Sequence, residues 1–199
     1  RRQRQMCIRD SSYKGSSEPG IVWVMSDTND NGKPEDTWYE LRGSEDEEST
    51  NKPVRGYWVA YTRPSSDTGP VGWVDSEGQS GTIERIDLHK QPYYPLWIGE
   101  GSYTLKGTRL TPRNYQDNRG EWVNAEYGWG YADNYEAAGR KEENKPMANY
   151  FRIENAIDGK GEPVRLESID FVKVQTAVNG KSGALGEIST EVCGLIDLN

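Results

Sequence analysis

The chain has 199 residues, enough for one well-formed hydrophobic core, and it carries a formal net charge of -8 at neutral pH. Clustered Lys and Arg are needed to hold a phosphate backbone, so this acidic balance disfavours nucleic-acid binding. No apolar run approaches the roughly 20 residues of a membrane-spanning helix, so no transmembrane segment is expected. Seven Trp and twelve Tyr against two Phe, with 22 Gly and ten Pro, favour an all-β protein with long loops.

Short runs of β-forming residues recur between turn signals along the chain. The first, "GIVWVMS" (20–26), is apolar on both faces and predicts a buried central strand. Further strands are predicted at 36–43, 54–64, 71–75, 81–88, 93–98, 102–110, 121–131, 149–157, 168–178 and 185–196. About ten strands with long connections predict a two-sheet antiparallel β-sandwich of jelly-roll type. No repeat or linker divides the chain, so we expect residues 16–199 to form one domain.

A polar segment, "DTNDNGKPEDTW" (27–38), has the ligand spacing of a calcium loop. Side-chain oxygens recur at its first, third and fifth positions, Gly32 permits the sharp turn, and the next residue offers its backbone carbonyl. The twelfth position is Trp38, where a bidentate Glu belongs, so Asp36 or a carboxylate from another loop must complete the shell, and "WGYADN" (129–134) offers one. The alternative is a polar Asn-Gly turn between two strands, and both can hold at once. The predicted calcium ligands are Asp27, Asn29, Asn31, Lys33, Asp36 and Asp133.

The string "SSEPGIVWVMSDTNDNGKPEDTWYELRGSE" (16–45) resembles a module of uncharacterised secreted or lipid-anchored surface proteins of Bacteroides-type bacteria. The resemblance continues through "RGYWVAYTRP", "VGWVDSEGQSGTI", "YYPLWI", "YTLKGTRL" and "WGYADN", and ends in "IDFVKVQTAVNGKSGALGEISTEVCGLIDL". It implies an extracellular or outer-surface location and a place in a larger multidomain surface protein. Residues 1–15 look like a shortened version of a region where relatives carry further strands, which predicts a truncated edge strand.

Cys7 and Cys193 lie near opposite ends of the chain. A disulfide between them would tie the terminal strands together and would require an oxidising compartment. The other interpretation is two separate buried thiols. The sequence leaves both open.

Catalytic chemistry is not favoured by the residues present. His89 is the only histidine and no Gly-x-Ser-x-Gly elbow occurs, so neither a serine triad nor an imidazole zinc site is indicated. With 32 acidic residues some pairs must reach glycosidase spacing, but nothing singles out one pair, and a glycosidase or lyase is the less favoured alternative. The acidic run Glu45–Glu48 is typical of a solvated loop. Carboxylates that occupy or adjoin predicted strands are Glu40, Asp133, Asp170, Glu187 and Glu191.

Loops rich in Trp and Tyr supply flat rings that can lie under the apolar faces of sugars. The rings expected to be exposed, and therefore to bind ligand, are Trp73, Tyr93, Tyr94, Trp97, Trp129 and Tyr131. The sequence thus predicts a non-catalytic cell-surface module that binds a glycan and is stabilised by calcium. A structural or adhesion domain with a protein partner is one alternative. Capture of a small, corrin-like nutrient is another.

Overall fold

The computed structural model describes residues 5–9, 12–136, 148–183 and 186–198. These residues form an all-β protein with two short 3-10 turns, Ser44–Asp46 and Ile153–Asn155. The strands are β1 (Gln5–Arg9), β2 (Gly20–Met25), β3 (Tyr39–Leu41), β4 (Val54–Thr62), β5 (Val71–Asp75), β6 (Ser80–Ile83), β7 (Ser102–Arg109), β8 (Asn114–Gln116), β9 (Trp122–Asn124), β10 (Ala148–Arg152), β11 (Ala156–Ile157), β12 (Phe171–Thr176) and β13 (Gly194–Asp197). The predicted all-β class is confirmed, whereas the jelly-roll connectivity stays a prediction.

The strands form three larger sheets and one hairpin. The first sheet has the order β10-β1-β13, the second β11-β3-β2-β12 and the third β6-β5-β4-β7, and β8 pairs with β9. Strand β1 runs antiparallel to both β10 and β13, so the N-terminal segment supplies a central strand where an edge strand was expected. Within the described ranges, no helix is both long enough and apolar enough to cross a membrane.

The chain divides into two compact units, Val54–Thr108 and the remainder, Arg1–Pro53 with Arg109–Asn199. The larger unit holds the first and second sheets and the β8–β9 hairpin. The third sheet occupies the smaller unit. That residues 16–199 form one domain stays a prediction.

In the larger unit the first and second sheets pack face to face. Met6 and Ile8 lie two residues apart on β1 and therefore on the same face of that strand, and Val22 and Val24 do the same on β2. The two faces form a shared core, to which Phe151 also belongs. All five side chains are almost fully buried. This packing gives the larger unit a sandwich core.

The opposite face of β2 is buried as well. Ile21 packs there with Leu110, Tyr127, Tyr131 and Ala177 in a second cluster. The prediction of a central strand with two apolar faces is therefore confirmed.

Three turns share the pattern Asp-x-x-Gly followed by Glu or Gln, at 75–79, 117–121 and 158–162. In each, the Asp backbone N–H donates to the carbonyl four residues later, and the glycine N–H donates back to the Asp carbonyl. The Asp carboxylate accepts further bonds from the backbone N–H groups two and four residues on. Each glycine has a positive φ, of +78°, +79° and +84°, which other residues adopt only with strain. The backbone donors lower the pKa of Asp117 and Asp158 below the usual range.

The two cysteines are separate thiols, Cys7 buried and Cys193 exposed. Cys7 lies opposite Ile196 of β13 in the first sheet, and Cys193 precedes Ile196 by three residues. Three residues correspond to about 10 Å in a strand, beyond the roughly 7 Å between Cα atoms that a disulfide spans. The interpretation as separate thiols is confirmed, although Cys193 is not buried.

Candidate functional site

The segment between β2 and β3 folds around its own polar side chains. The Asp27 carboxylate accepts hydrogen bonds from the backbone N–H groups of Gly32, at 2.7 Å, and Asn31, at 3.2 Å. The Asn29 side-chain oxygen also accepts from Asn31 at 3.2 Å, and the Asn31 side-chain oxygen accepts from the Lys33 N–H at 2.8 Å. The oxygens at the first, third and fifth positions therefore accept from one short stretch of backbone, residues 31–33, and the chain bends at Asn31-Gly32, where Gly32 has a φ of +69°.

Asp36 lies beside the start of the same loop. Its two carboxylate oxygens accept from the backbone N–H of Thr28, at 3.2 Å, and from the Thr28 hydroxyl, at 2.6 Å. The Asn31 amide donates to the Glu35 carboxylate at 2.6 Å. Asp36 and Glu35 thus accept hydrogen bonds from residues of the same loop.

A further acid reaches this loop from a distant part of the chain. Asp170 immediately precedes β12, whose first residue pairs with Met25 at the end of β2. Its carboxylate accepts a hydrogen bond from the Asp27 backbone N–H at 2.8 Å. The Ser26 hydroxyl donates to the Ser168 carbonyl nearby. Antiparallel pairing of β2 and β12 therefore brings Asp170 to the loop.

Asp133 does not take this position, contrary to the sequence-based prediction. Its carboxylate accepts from the Glu191 backbone N–H at 2.8 Å, and the preceding residue, Ala132, bridges to Gly20 at the start of β2. Asp27 is the second residue after the end of β2. The six-residue strand separates the two positions by roughly 16–20 Å, because the chain that carries Asp133 meets the sheet at its other end.

The donor chemistry of the loop fits a hard cation. Each carboxylate oxygen has two lone pairs, so an oxygen that accepts one N–H bond keeps the capacity to bind an ion. Asp27, Asp36 and Asp170 offer carboxylates, and two Asn amides and a backbone carbonyl add neutral oxygens, the ligands that calcium prefers. Across the described ranges, no three His, Cys, Asp or Glu side chains form a metal-holding group by themselves. A calcium shell here would need the amide and backbone oxygens.

The C-terminal end of the loop also contacts β12. The Lys173 ammonium lies 4.8 Å from the ring centre of Trp23 and 4.9 Å from that of Trp38. Partial burial lowers the pKa of Lys173. Trp38 occupies the position of the missing Glu, and here it packs against a cation on β12. The start of the loop therefore contacts Asp170, just before β12, and its end contacts Lys173, the third residue of β12.

The aromatic residues of the smaller unit differ widely in exposure. Trp97 is 86% exposed, whereas Tyr94 is only 2% exposed, so the prediction for Tyr94 is wrong. The Tyr94 hydroxyl donates to the Glu100 carbonyl, which allows the whole ring to be buried. Tyr93 is half-buried, with its hydroxyl accepting from the Ile86 N–H, and Trp73 is half-buried with its ring over Gly81.

In the larger unit, Trp129 is half-buried, with the Arg42 guanidinium 5.8 Å from its ring centre. Tyr131 is 1% exposed, which contradicts the prediction that it is a surface ring. Its hydroxyl accepts from the Glu45 backbone N–H, and its ring lies so close to Gly43 that any side chain there would clash. The six predicted rings are thus divided between the two units, and only Trp97 is fully presented to solvent.

Residues 93–98 form no strand, although one was predicted. Pro95 begins a turn that is closed by a hydrogen bond from the Ile98 N–H to the Pro95 carbonyl. Proline lacks the N–H that a strand ladder needs, which accounts for the difference. Leu96 and Trp97 occupy the middle of this turn, and both are exposed.

Glu45 is buried, although the acidic run that contains it was expected to be solvated. Its carboxylate is 2.6 Å from an Arg113 guanidinium nitrogen and also accepts from the Ser44 hydroxyl. The guanidinium lies 4.5 Å from the Tyr127 ring centre and donates to the Glu126 carbonyl. A buried carboxylate requires such partners, and sequence reasoning missed this one because Arg113 lies far away in the chain.

"WGYADN" contributes a buried amide in place of a metal ligand. The Asn134 side chain accepts from the Tyr127 N–H at 2.9 Å and donates to the Tyr127 carbonyl at 3.1 Å. The Asn149 side chain makes the same pair of hydrogen bonds to the Asn134 backbone: its amide oxygen accepts from the Asn134 N–H, and its NH2 group donates to the Asn134 carbonyl. Both amides are fully buried. They replace strand pairing where irregular backbone crosses the core.

No protein-family model matches this sequence, and none of the curated proteins compared with it matches significantly. The resemblance to Bacteroides-type surface modules therefore stays a prediction.

Proposed function

We propose that this protein is a non-catalytic binding module of an extracellular or outer-surface protein, which contacts a glycan through Trp97. The observation that carries the proposal is the 86% exposure of the Trp97 side chain. An indole of this size is usually at least half-buried in a folded protein, because its burial contributes more than that of any other side chain. A ring presented to water on a turn is typical of a binding residue.

The chemistry of the surrounding loop suits a sugar ligand. The Trp97 ring offers a flat apolar face, and the neighbouring loop residues Lys90, Gln91 and Glu100 are polar and exposed. Sugars combine apolar C–H faces with hydroxyl groups, so such a mixture of ring and polar side chains is complementary to them. The proposed glycan contact lies entirely within the smaller unit.

Calcium is proposed as a structural ion of the larger unit. Asp27, Asn29, Asn31, Asp36 and the Lys33 carbonyl would hold it, with Asp170 in the place first assigned to Asp133. When bound, the ion would supply a cross-link between the loop and the start of β12, which the Asp27–Asp170 hydrogen bond already brings together. This role is one of stability and requires no contact between the ion and the glycan.

A second candidate, adhesion to a protein partner, is favoured by one observation. Leu88 is 69% exposed and Leu96 is 56% exposed, and both belong to the same connection between β6 and β7 as Trp97. Exposed apolar side chains in one connection are typical of a protein contact as well. Both candidate functions use Trp97 as the contact residue, and they differ in whether the ligand is a glycan or a protein.

Binding to a printed glycan array, with calcium present, tests the first candidate. We expect the wild-type protein to bind a defined subset of the glycans, and Trp97→Ala to weaken that binding by at least about tenfold, as for truncation of a central aromatic contact. Trp122→Ala is the matched control, because Trp122 is also exposed, at 41%, but lies in the other unit. Equal binding by wild type and Trp97→Ala would overturn the proposal. Failure of the wild type to bind any glycan would favour the protein-partner candidate.

A further inference from the structure

We propose that Arg63 is the positioning residue of the Trp97 turn, and that it sets ligand affinity without touching the ligand. This inference depends on the proposed binding role of Trp97. It begins from the exposure of the Trp97 ring, which has few packing contacts of its own. The direction in which the ring points is therefore decided by the backbone of the turn that carries it.

That backbone is held by a single arginine on its C-terminal side. The Arg63 guanidinium donates to the Ile98 carbonyl and, at 3.4 Å, to the Glu100 carbonyl. The Arg63 backbone N–H also donates to the Gly101 carbonyl at 2.8 Å. One residue thus binds three carbonyls within four residues of the loop.

The arginine is itself fixed by an aromatic column. Its guanidinium carbon lies 4.7 Å from the Tyr94 ring centre, and the Tyr94 hydroxyl donates to the Glu100 carbonyl at 2.8 Å. Tyr94 packs edge-on against Tyr103, at 5.3 Å between ring centres, and Tyr103 stacks on Tyr61 at 5.2 Å. Burial raises the pKa of Tyr61 to about 12, so the Tyr61 ring stays uncharged at physiological pH.

The position of Arg63 in the chain makes this arrangement rigid. It directly follows Thr62, the last residue of β4, and β4 lies inside the third sheet between β5 and β7. The guanidinium is a planar fork with five N–H donors, so it can reach two carbonyls while stacking on a ring. Lysine keeps the charge but has neither the fork nor the flat face. Replacing Arg63 by Lys therefore removes the positioning function and conserves the net charge.

A preformed turn spares the ligand the cost of ordering the loop, so loosening it lowers affinity even though every contacting side chain remains. We expect Arg63→Lys to raise the half-saturating protein concentration on the glycan array by about tenfold, the effect of losing one charged hydrogen bond. Tyr94→Phe removes only the hydroxyl bond to the Glu100 carbonyl, and we expect a smaller loss. Arg119→Lys is the matched control, because Arg119 is exposed in the β8–β9 hairpin of the other unit.

Hydrogen exchange measured by mass spectrometry separates positioning from general destabilisation. Faster exchange is expected in residues 95–101 of Arg63→Lys, with the exchange of strands β4 and β5 unchanged. The inference is overturned if exchange in 95–101 does not change, or if it rises while array binding is unaffected. Loss of protection throughout the smaller unit would also overturn it, because Arg63 would then be a stability residue. If Trp97→Ala binds like wild type, the proposed function fails instead, whatever the exchange data show.

Discussion

Asp27 and Asp170, which are 143 residues apart in sequence, meet through a 2.8 Å hydrogen bond from the Asp27 backbone N–H to the Asp170 carboxylate. The contact joins the polar loop after β2 to the residue before β12. It brings a carboxylate from a second segment to the backbone of Asp27, the first position of the predicted calcium loop.

Calcium is expected to raise the melting temperature of the wild-type protein by about 5–10 °C at a concentration 100 times its dissociation constant, where binding contributes about 2.7 kcal/mol. Asp27→Ala should abolish that response, and Asp170→Asn should reduce it. Asp133→Asn is the control, because it lies at the other end of β2 and should keep the full response. The measurement is a thermal melt with calcium and with chelator. A calcium response that survives in Asp27→Ala, or a wild-type melt that never responds, would contradict the site.

The Asn134 amide should be a large contributor to stability. Asn134→Ala removes two hydrogen bonds and leaves the Tyr127 N–H and carbonyl unpaired in the core. We expect a loss of about 2–6 kcal/mol in the free energy of unfolding, since each of the two unsatisfied buried groups costs about 1–3 kcal/mol. Urea unfolding measures it, with Asn118→Ala in an exposed hairpin turn as the control. A loss below about 1 kcal/mol would show that water or a shifted backbone replaces the amide.

Glu18 should make stability depend on pH in the weakly acidic range. Burial raises its pKa above the unfolded value of 4.5, a backbone hydrogen bond from Ser189 partly opposes this, and the neighbouring Glu191 and Glu187 carboxylates add to the rise. A raised folded pKa means that the folded state holds the proton more tightly. The stabilisation is therefore fully present below pH 4.5 and is lost as the pH rises through the folded pKa.

Glu18→Gln, which can still accept the Ser189 N–H, should consequently raise the melting temperature at pH 7 relative to wild type. The advantage should shrink as the pH falls and disappear below about pH 4.5. Melts from pH 4 to pH 8 test this, with the exposed Glu84→Gln as control. An advantage of equal size at every pH would exclude titration of Glu18 as the cause.

The sequence by itself determined those features that depend on neighbours in the chain. The two-faced apolar run of β2 identifies a central strand because a strand buried on both sides cannot alternate polar and apolar residues. Asn31-Gly32 and the three Asp-x-x-Gly turns are equally local, since the Asp carboxylate binds N–H groups only two and four residues away. The exposed Trp97 was also among the predicted rings.

Tertiary structure alone decided which distant groups meet. Tyr94 and Tyr131 are buried because their hydroxyls find backbone partners, and those partners are visible only once the chain is folded. Glu45 is buried because Arg113 arrives beside it. Asp170 reaches the loop after β2, whereas Asp133 does not, because β12 pairs with β2 in that register. The residues next to a carboxylate or phenol in sequence can be the same whether that side chain is solvated or paired. Its burial therefore depends on contacts between distant segments, which sequence spacing does not encode.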